Sequence, residues 1–253
     1  MAASFTFQLT YWAPRCIAVL AGLWIILKSM RFAHKKVFTA VFPPIMDRIT
    51  QVYNIKMNDF KLELFRELTD LKQQSKDPLT ILEIGAGSGA NFQYYPAGTI
   101  VVPVEPMKTF DSYLKSNAEK CPDITVKDAV IAYGENMKTI SDDSVDVVVV
   151  TLVLCSVRNV SAVMGEIRRI LKPGGRFYYI EHVYSDQRNS WVQLAQRTLN
   201  PVWELVTGCS LTRATWKDIE SGGFTRVNYK KFNAPLSGGG ALMSPHVMGY
   251  AVK

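Results

Sequence analysis

A loop of alternating glycines, placed directly after a short apolar segment, constrains the fold of this chain more than any other feature. Residues 80–84, Thr-Ile-Leu-Glu-Ile, have the length and apolar character of a buried parallel strand. Every second residue from Gly85 to Gly89 is then glycine, which lets the backbone turn sharply and leaves room for a ligand. Residues 91–95 can start a helix. The sequence therefore predicts a strand, a ligand-binding loop and a helix, in that order.

The acid Glu83 indicates which ligand this loop binds. It lies two residues before Gly85, where a pyrophosphate would meet an uncompensated like charge. The glycine spacing also differs from the G-x-G-x-x-G pattern of dinucleotide sites. A second acid, Glu105, follows Gly85 at about the 20 residues typical of a carboxylate that accepts from ribose hydroxyls. The pattern favours an adenosyl ligand with a cationic tail, S-adenosylmethionine, over the alternative of a glycine-rich surface turn.

The distribution of charge argues against a nucleic-acid groove. The chain has 253 residues and a formal net charge of +7, from 29 basic and 22 acidic residues. Five of the basic residues precede Asp47, a stretch that contains no acid, and the remaining 24 are nearly balanced by the acids. The basic character therefore belongs to the N-terminus, and we expect no nucleic-acid partner.

The four cysteines give no sign of a metal site or a disulfide framework. They are far apart and form no C-x-x-C pair, so we expect no metal and a reducing compartment for the domain. Their positions are Cys16, Cys121, Cys155 and Cys209.

Residues 1–46 are predicted to anchor the chain to a membrane. The stretch from Phe5 to Leu27 is mostly apolar, although Pro14 and Arg15 interrupt it, and a basic cluster follows it. A cleavable signal peptide has the opposite polarity, so the pattern favours an uncleaved anchor with its basic flank on the cytoplasmic side. The anchor can span the bilayer, lie in the interface or form a hairpin. The alternative is a buried amphipathic helix of the soluble domain.

The rest of the chain predicts an α/β fold. Residues 47–78 have the periodicity of a helix that packs over the active site, and residues 79–253 alternate strands with helices, which predicts a doubly wound, mostly parallel sheet. Ligands of such sheets bind at the carboxyl ends of the strands. After residues 80–84, the predicted strands are Ile100–Val104, one within Ile124–Ile131, Val145–Leu152, Phe177–Val183, Phe224–Phe232 and His246–Val252, and the predicted helices are Phe110–Lys120 and Val160–Leu171.

Residues 79–253 resemble the class I S-adenosylmethionine-dependent methyltransferases, which have a seven-stranded Rossmann-like sheet. The segments that carry this resemblance are Leu82–Gly89, Val104–Pro106, Gly134–Asn136, Ser144–Val149 and Leu171–Gly175. A closer resemblance is to the membrane-anchored thiol S-methyltransferases, methyltransferase-like proteins of the endoplasmic reticulum and lipid droplets. It rests on Tyr133–Met137, Thr151–Val157, Glu181–Val183 and Pro245–Lys253. The resemblance implies methyl transfer to small hydrophobic thiols, on the cytosolic face of that membrane.

The glycine loop and the two acids form the first part of the predicted cofactor site. Gly85, Ala86 and Gly87 would hold the methionyl end of the cofactor by close backbone approach. Glu83 would support its ammonium, directly or through water. Glu105 would accept from both ribose hydroxyls, because a carboxylate offers paired acceptors.

Four further residues complete the predicted cofactor set. Pro106 belongs to the same segment as Glu105. Glu135 and Asn136 would lie by the adenine, with helix capping as their alternative role. Thr151, at the end of its strand, would border the methyl-bearing sulfur.

The predicted chemistry is an in-line displacement at a sulfonium methyl, in which positioning contributes most. The segment Thr151–Leu154 is apolar, which disfavours an amide or nucleobase acceptor. A base helps without being essential, since a thiol is already partly ionised near neutral pH. His182 is the predicted catalytic base, with a structural histidine as the alternative, and His246 is the next candidate. Two other functions remain open: a lipid- or quinone-directed O- or C-methyltransferase, and a lipid-droplet surface protein with a vestigial methyltransferase fold.

Overall fold

The computed structural model describes residues 39–187 and 190–253. The chain divides into two compact units, Met1–Ile45 and Met46–Lys253. Most of the predicted anchor, residues 1–38, lies outside the described residues, and residues 39–45 are helical. Among the residues that the structure describes, no helix is both long enough and apolar enough to cross a membrane.

One seven-stranded sheet forms the centre of the second unit, with the strand order β3-β2-β1-β4-β5-β7-β6. All neighbouring strands are parallel except β7, which is antiparallel to both β5 and β6. This confirms the predicted doubly wound, mostly parallel α/β sheet. The strands are β1 (Thr80–Ile84), β2 (Ile100–Val104), β3 (Thr125–Val126), β4 (Val145–Thr151), β5 (Leu171–His182), β6 (Arg226–Asn233) and β7 (Pro245–Val252).

Five α-helices accompany the sheet in the described ranges. They are α1 (39–74), α2 (Asp111–Glu119), α3 (Val160–Ile170), α4 (Trp191–Thr207) and α5 (Thr215–Glu220). Helix α1 begins before the predicted residue 47, and it ends at residue 74, within the predicted segment 47–78. It ends at 74 because Pro78 disfavours helical backbone at Asp77, whose carbonyl oxygen instead accepts from the Ser75 hydroxyl at 2.9 Å.

The valine run of β4 divides the core into two layers. Successive side chains of a strand point to opposite faces, so a strand that is buried on both sides needs apolar residues throughout. Val148 and Val150 pack in the cluster that contains Val163 and Ile167 of α3. Val147 and Val149 pack in the other cluster, which contains Met57, Phe65 and Leu68 of α1 and Leu114 of α2. Helices therefore cover both faces of the sheet.

Two local predictions were wrong in extent, the helix after the glycine loop and the start of β5. The residues after the glycine loop form a single 3₁₀ turn, Phe92–Tyr94, which ends before Pro96 because proline lacks the amide hydrogen that a longer helix needs. Strand β3 has only two residues, and both lie within the predicted range Ile124–Ile131. Strand β5 begins at Leu171, the predicted last residue of the preceding helix, and not at Phe177. Its pairing with β4 shifts between Val145 and Val147.

Strand β7 provides a test of this packing, because Gly249 leaves no space for a side chain. A Cβ atom there would overlap the Asn228 carbonyl oxygen and lie 2.7 Å from the Tyr229 Cα, and neither backbone atom can move freely within the sheet. We expect Gly249→Ala to lower the free energy of unfolding by at least about 1–3 kcal/mol. Chemical denaturation measures the change.

Gly165 in α3 is the matched control, since a Cβ there meets nothing within 4 Å. Gly165→Ala should leave stability unchanged or raise it by up to roughly 1 kcal/mol. Equal effects of the two substitutions would contradict the register assigned to β6 and β7.

Candidate active site

The glycine loop adopts backbone angles that require glycine. Gly85, Gly87 and Gly89 have φ angles of +64°, +53° and +80°. The amides of Gly85 and Ala86 both donate to the Val104 carbonyl oxygen, at 2.8 and 3.2 Å, which fixes the loop to the end of β2. A Cβ on Gly85 would overlap the side chain of Val153, so the loop also lies directly against the segment that follows β4.

Glu83 is buried at the base of this loop, with 3% of its surface exposed. Its carboxylate accepts from Asn91 Nδ2 and from the Tyr95 hydroxyl, both at 2.8 Å. Burial raises the pKa of Glu83 to about 7, and the two hydrogen bonds oppose the rise. The protein thus supplies donors to this carboxylate, and its contact with a cofactor ammonium stays a prediction.

Lys61 of α1 is linked to the Glu83 carboxylate through Asn91, and the sequence analysis did not predict this role. Its Nζ donates to Asn54 Oδ1 and to Asn91 Oδ1, both at 2.6 Å, and the side chain is almost fully buried. Burial lowers the pKa of Lys61 to about 7, and the charge of Glu83 opposes this shift. The only signal in the sequence is a lysine four residues after Met57 and four before Phe65, on the apolar face of α1.

Asn91 connects these elements. It accepts from Lys61, and its Nδ2 donates to Glu83 and to Thr151 Oγ1, the latter at 3.1 Å. Asn54 Nδ2 donates to the Ala90 carbonyl oxygen at 2.8 Å. Helix α1, the glycine loop and the ends of β1 and β4 are therefore joined by one buried polar network, which includes the predicted site residues Glu83 and Thr151.

Glu105 lies at the end of β2, opposite the glycine loop. Its Oε2 accepts from the Gly87 amide and its Oε1 from the Met107 amide, both at 3.0 Å. Burial raises the pKa of Glu105, against which the two backbone hydrogen bonds act. The structure thus brings Glu105 to the loop residues Gly85, Ala86 and Gly87, with the partly exposed Pro106 next to it.

Glu135 and Asn136 are engaged differently from the other predicted residues. Glu135 Oε1 accepts from the amides of Arg158 and Asn159, at 2.7 and 3.5 Å, just before α3 begins. Glu135 thus holds the backbone that enters α3, whereas the side chain of Asn159 caps the helix by accepting from the Ala162 amide. Asn136 is exposed. The adenine contact of the pair stays a prediction.

The segment after β4 is held by a second buried carboxylate. Leu152 has a φ angle of +56°, which turns the chain out of the sheet. The amides of Val153 and Leu154 then donate to Glu181 Oε1 at 2.8 and 3.0 Å. Glu181 is fully buried, its pKa is raised to about 7 by burial, and its Oε2 has no hydrogen-bond partner among the described residues.

The predicted base His182 lies in a cluster with two cysteines. It is the last residue of β5, and its Nε2 is 2.8 Å from the Sγ of Cys209, which follows α4. The Sγ of Cys155 completes the cluster, in which the three donor atoms all lie within 4.8 Å of one another. Hydrogen bonding with Cys155, and then with His182, lowers the pKa of Cys209, whereas the pKa of Cys155 is raised. His182 Nε2 is thus close to a thiol of the protein itself, and catalysis by this histidine stays a prediction.

His246, the second histidine candidate, is held in its neutral form. Its Nδ1 lies 3.1 Å from the Ser244 carbonyl oxygen, which can only accept, so Nδ1 carries the proton. Nε2 then accepts from the Tyr53 hydroxyl at 3.0 Å. Burial, and next the proximity of His182, lowers the pKa of His246 to about 3. We therefore assign His246 to orienting Tyr53 of α1.

Comparison with known proteins identifies the family. Residues 82–179 match the model of a methyltransferase domain. The chain is 43% identical over 238 residues to rat thiol S-methyltransferase TMT1B, covering 94% of this chain and 96% of the relative. It is 41% identical over 213 residues to human thiol S-methyltransferase TMT1A, covering 84% and 86%. The chain belongs to the thiol S-methyltransferase family.

A solved structure supports the fold assignment of this family member. A SAM-dependent methyltransferase from Aquifex aeolicus superposes with a TM-score of 0.50 at 14% sequence identity, covering 83% of this chain and 97% of that one. At this identity the similarity concerns the fold alone. Together with the family match, it confirms the predicted resemblance to class I methyltransferases.

The Lys61 network yields a pH-dependent prediction. Lys61→Met should lower stability by about 1–3 kcal/mol near neutral pH, because the Asn54 and Asn91 oxygens lose their buried donor. The folded-state pKa of Lys61 is about 7 against an ordinary 10.5, so the unfolded chain binds more protons between these values and the natural protein gains stability as pH rises. The variant lacks this gain, and its Glu83 loses a counter-charge. The stability deficit should therefore grow from pH 7 to about pH 9.

Denaturant unfolding at several pH values measures this deficit. Lys115→Met, which replaces an exposed lysine of α2, is the control and should cost little at any of these pH values. A deficit for Lys61→Met that is constant with pH would show that burial does not lower the pKa of Lys61.

Proposed function

We propose that this chain transfers the methyl group of S-adenosylmethionine to the sulfur of small hydrophobic thiols. The observation that carries the proposal is the family: relatives named thiol S-methyltransferases are 39–43% identical over most of the chain. The geometry agrees with it, since a glycine loop with three left-handed residues faces Glu105 at the carboxyl ends of the strands. A methyltransferase fold without activity is less consistent with so complete a loop.

The cofactor end of the site follows from the acids and the loop. Glu105 already accepts from Gly87 and Met107, and its remaining lone pairs are suited to the two ribose hydroxyls. Gly85, Ala86 and Gly87 would hold the methionyl group. Glu83 would attract its ammonium directly or through water, while Asn91 keeps the carboxylate in place.

The acceptor end of the site favours an apolar thiol. The segment after Thr151 is apolar and consists of Leu152, Val153 and Leu154. The backbone amides of Val153 and Leu154 already donate to Glu181. Few polar groups are therefore left to recognise an amide or a nucleobase. A thiolate attacks the methyl carbon in line with the departing sulfur, so alignment of the two reactants lowers the barrier. The acceptor would lie next to the glycine loop, because Gly85 leaves no space for a side chain beside Val153.

An acceptor screen tests the function. The purified full chain is incubated with labelled S-adenosylmethionine and a panel of alkyl thiols, phenols and quinols, and methylated products are identified by mass spectrometry. We expect methyl thioethers from the apolar thiols. Turnover of an oxygen or carbon acceptor while thiols stay unmethylated would instead support the O- or C-methyltransferase. Absence of cofactor binding by titration calorimetry would support the vestigial fold.

In the same calorimetric experiment, Glu105→Ala should weaken cofactor binding by about 10-fold or more, the effect of losing hydrogen bonds to a charged group. Glu119→Ala, which removes an exposed glutamate from α2, is the matched control. Unchanged affinity of the Glu105 variant would exclude this residue from the site.

We further propose that the enzyme works at the cytosolic surface of the endoplasmic reticulum membrane or of lipid droplets. The apolar N-terminus with its basic flank supports this proposal, and so does the surface of α4. Gln196 holds one side of α4 by hydrogen bonds to the backbone of Val183, Ser185 and Leu242. The exposed apolar side chains of α4 are Trp191, Leu194, Leu199, Val202, Leu205 and Val206. An amphipathic helix of this kind can lie in a membrane interface.

Flotation of the full chain with phospholipid vesicles at limiting lipid measures its partition constant. Leu205 is 86% exposed, and Leu205→Asp should lower the constant by about 10-fold if this side chain enters the interface. Asn228→Asp introduces the same charge at an exposed position of β6 and should change little. Equal partition constants for the two variants would remove α4 from the proposed contact.

A further inference from the structure

Two cysteines and a histidine converge beside the acceptor end of the site, although they are far apart in the sequence. Cys155 belongs to the segment after β4, His182 ends β5, and Cys209 follows α4. The backbone holds the two cysteine segments together, because the Ser210 amide donates to the Cys155 carbonyl oxygen at 2.9 Å. Arg213 also donates to the Leu154 carbonyl oxygen at 2.6 Å. The cluster is therefore a fixed part of the fold.

The distances suit three ligands of one metal ion. Zinc–sulfur bonds of about 2.3 Å and zinc–nitrogen bonds of about 2.0 Å place the donors of a tetrahedral site roughly 3.5–4 Å apart. The three donor atoms lie within 4.8 Å of one another, and the closest two, His182 Nε2 and Cys209 Sγ, are 2.8 Å apart. Small side-chain rotations would bring all three to bonding distance of a common centre.

The chemistry of the donors selects the metal. Two thiolates and one imidazole are typical ligands of zinc, and sites with three protein ligands keep the fourth position open for water or substrate. Cys155 and His182 are buried, whereas Cys209 is partly exposed. Two buried polar atoms of the neighbouring residues His182 and Glu181 have no hydrogen-bond partner among the described residues. They are His182 Nδ1 and Glu181 Oε2.

We propose that Cys155, His182 and Cys209 bind a zinc ion whose open fourth position takes the sulfur of the acceptor thiol. This inference rests on the proposed function and adds a mode of substrate activation to it. It also gives His182 the role of a metal ligand instead of a free base. The sequence offered no metal motif, because the three residues come from separate elements.

In this site the acceptor thiol loses its proton to solvent as its sulfur binds zinc, since a coordinated thiol is deprotonated. The bound sulfur then attacks the methyl carbon of the sulfonium. A sulfur–carbon bond forms to the acceptor as the bond between the methyl group and the cofactor sulfur breaks, and the cofactor leaves as a neutral thioether. The methyl thioether product carries no charge and is a weaker zinc ligand than the thiolate, so it can be released.

Metal analysis of the purified full chain tests the site. We expect about one zinc ion per chain by elemental mass spectrometry after dialysis against zinc and removal of unbound metal. Replacement by cobalt(II) should give the visible bands of a tetrahedral site and a sulfur-to-cobalt charge-transfer band. Cys209→Ser should lose the charge-transfer intensity of one thiolate and weaken metal binding at least about 10-fold, the size of effect seen for lost metal-site interactions.

Cys121→Ser is the matched control, since Cys121 is partly exposed and lies outside the cluster. It should bind metal as the natural protein does. Cofactor titration of both variants checks that they are folded. Cys155→Ser provides a second test of the ligand set, and both serine variants should lose thiol methylation while they still bind S-adenosylmethionine.

The outcomes separate this inference from the proposed function. Thiol methylation by a chain that binds no zinc and resists chelators would overturn the metal site and leave the function intact. Zinc binding without thiol methylation would support the site and overturn the function. Metal binding that survives in the Cys209 and Cys155 variants, or a disulfide between these two cysteines in the active protein, would also overturn the inference.

Discussion

The buried hydrogen bond between Asn91 and Glu83 holds the active-site region of this protein together. A carboxylate that is almost removed from water costs stability unless donors surround it, and Asn91 and Tyr95 supply them. Asn91 also accepts from Lys61 and donates to Thr151. The single amide thereby fixes the distance between helix α1, the glycine loop and the end of β4, the three elements around the predicted cofactor site.

The network also explains why α1 packs where it does. Its apolar face enters the same core cluster as Val147, Val149 and Ile81, but apolar contacts alone allow a helix to slide. The bonds from Lys61 and Asn54 to the loop residues Asn91 and Ala90 give one register. Further along the sheet, Tyr53 of the same helix reaches His246 of β7. Helix α1 is thus tied to both the cofactor end and the acceptor end of the site.

The acceptor end depends on a second buried carboxylate. Glu181 holds the amides of Val153 and Leu154, and this bend places Cys155 beside His182 and Cys209. The two carboxylates have parallel roles, since each lies on a central strand and anchors the loop of a neighbouring segment. One loop is the predicted site of the methyl donor. The other presents soft donor atoms where a thiol would approach, which is the reason that a zinc-bound acceptor suits this fold.

Local patterns in the sequence were sufficient for the architecture and for most of the glycine loop, whereas the cofactor contacts of the loop stay a prediction. The valines of β4 and the glycines of the loop have meanings that depend only on their neighbours: burial on both faces, and left-handed backbone. The strand order places Glu83, Glu105 and Thr151 at one edge because parallel strands end together. Residues whose roles depend on distant partners were not predictable. Lys61 has the spacing of a core position, and Glu135 is bonded to amides 23 residues away.

What the sequence alone determined was therefore the doubly wound sheet, the glycine loop and the family. Only the tertiary structure decided which side chains from different helices and strands contact one another. Cys209 lies 27 residues from His182 and no motif links them to Cys155. They meet because β4 and β5 are neighbours and because the chain returns past both strand ends after α4. Periodicity in the sequence shows which face of an element is buried. Contacts between residues far apart in the sequence are instead set by the order of the strands in the sheet.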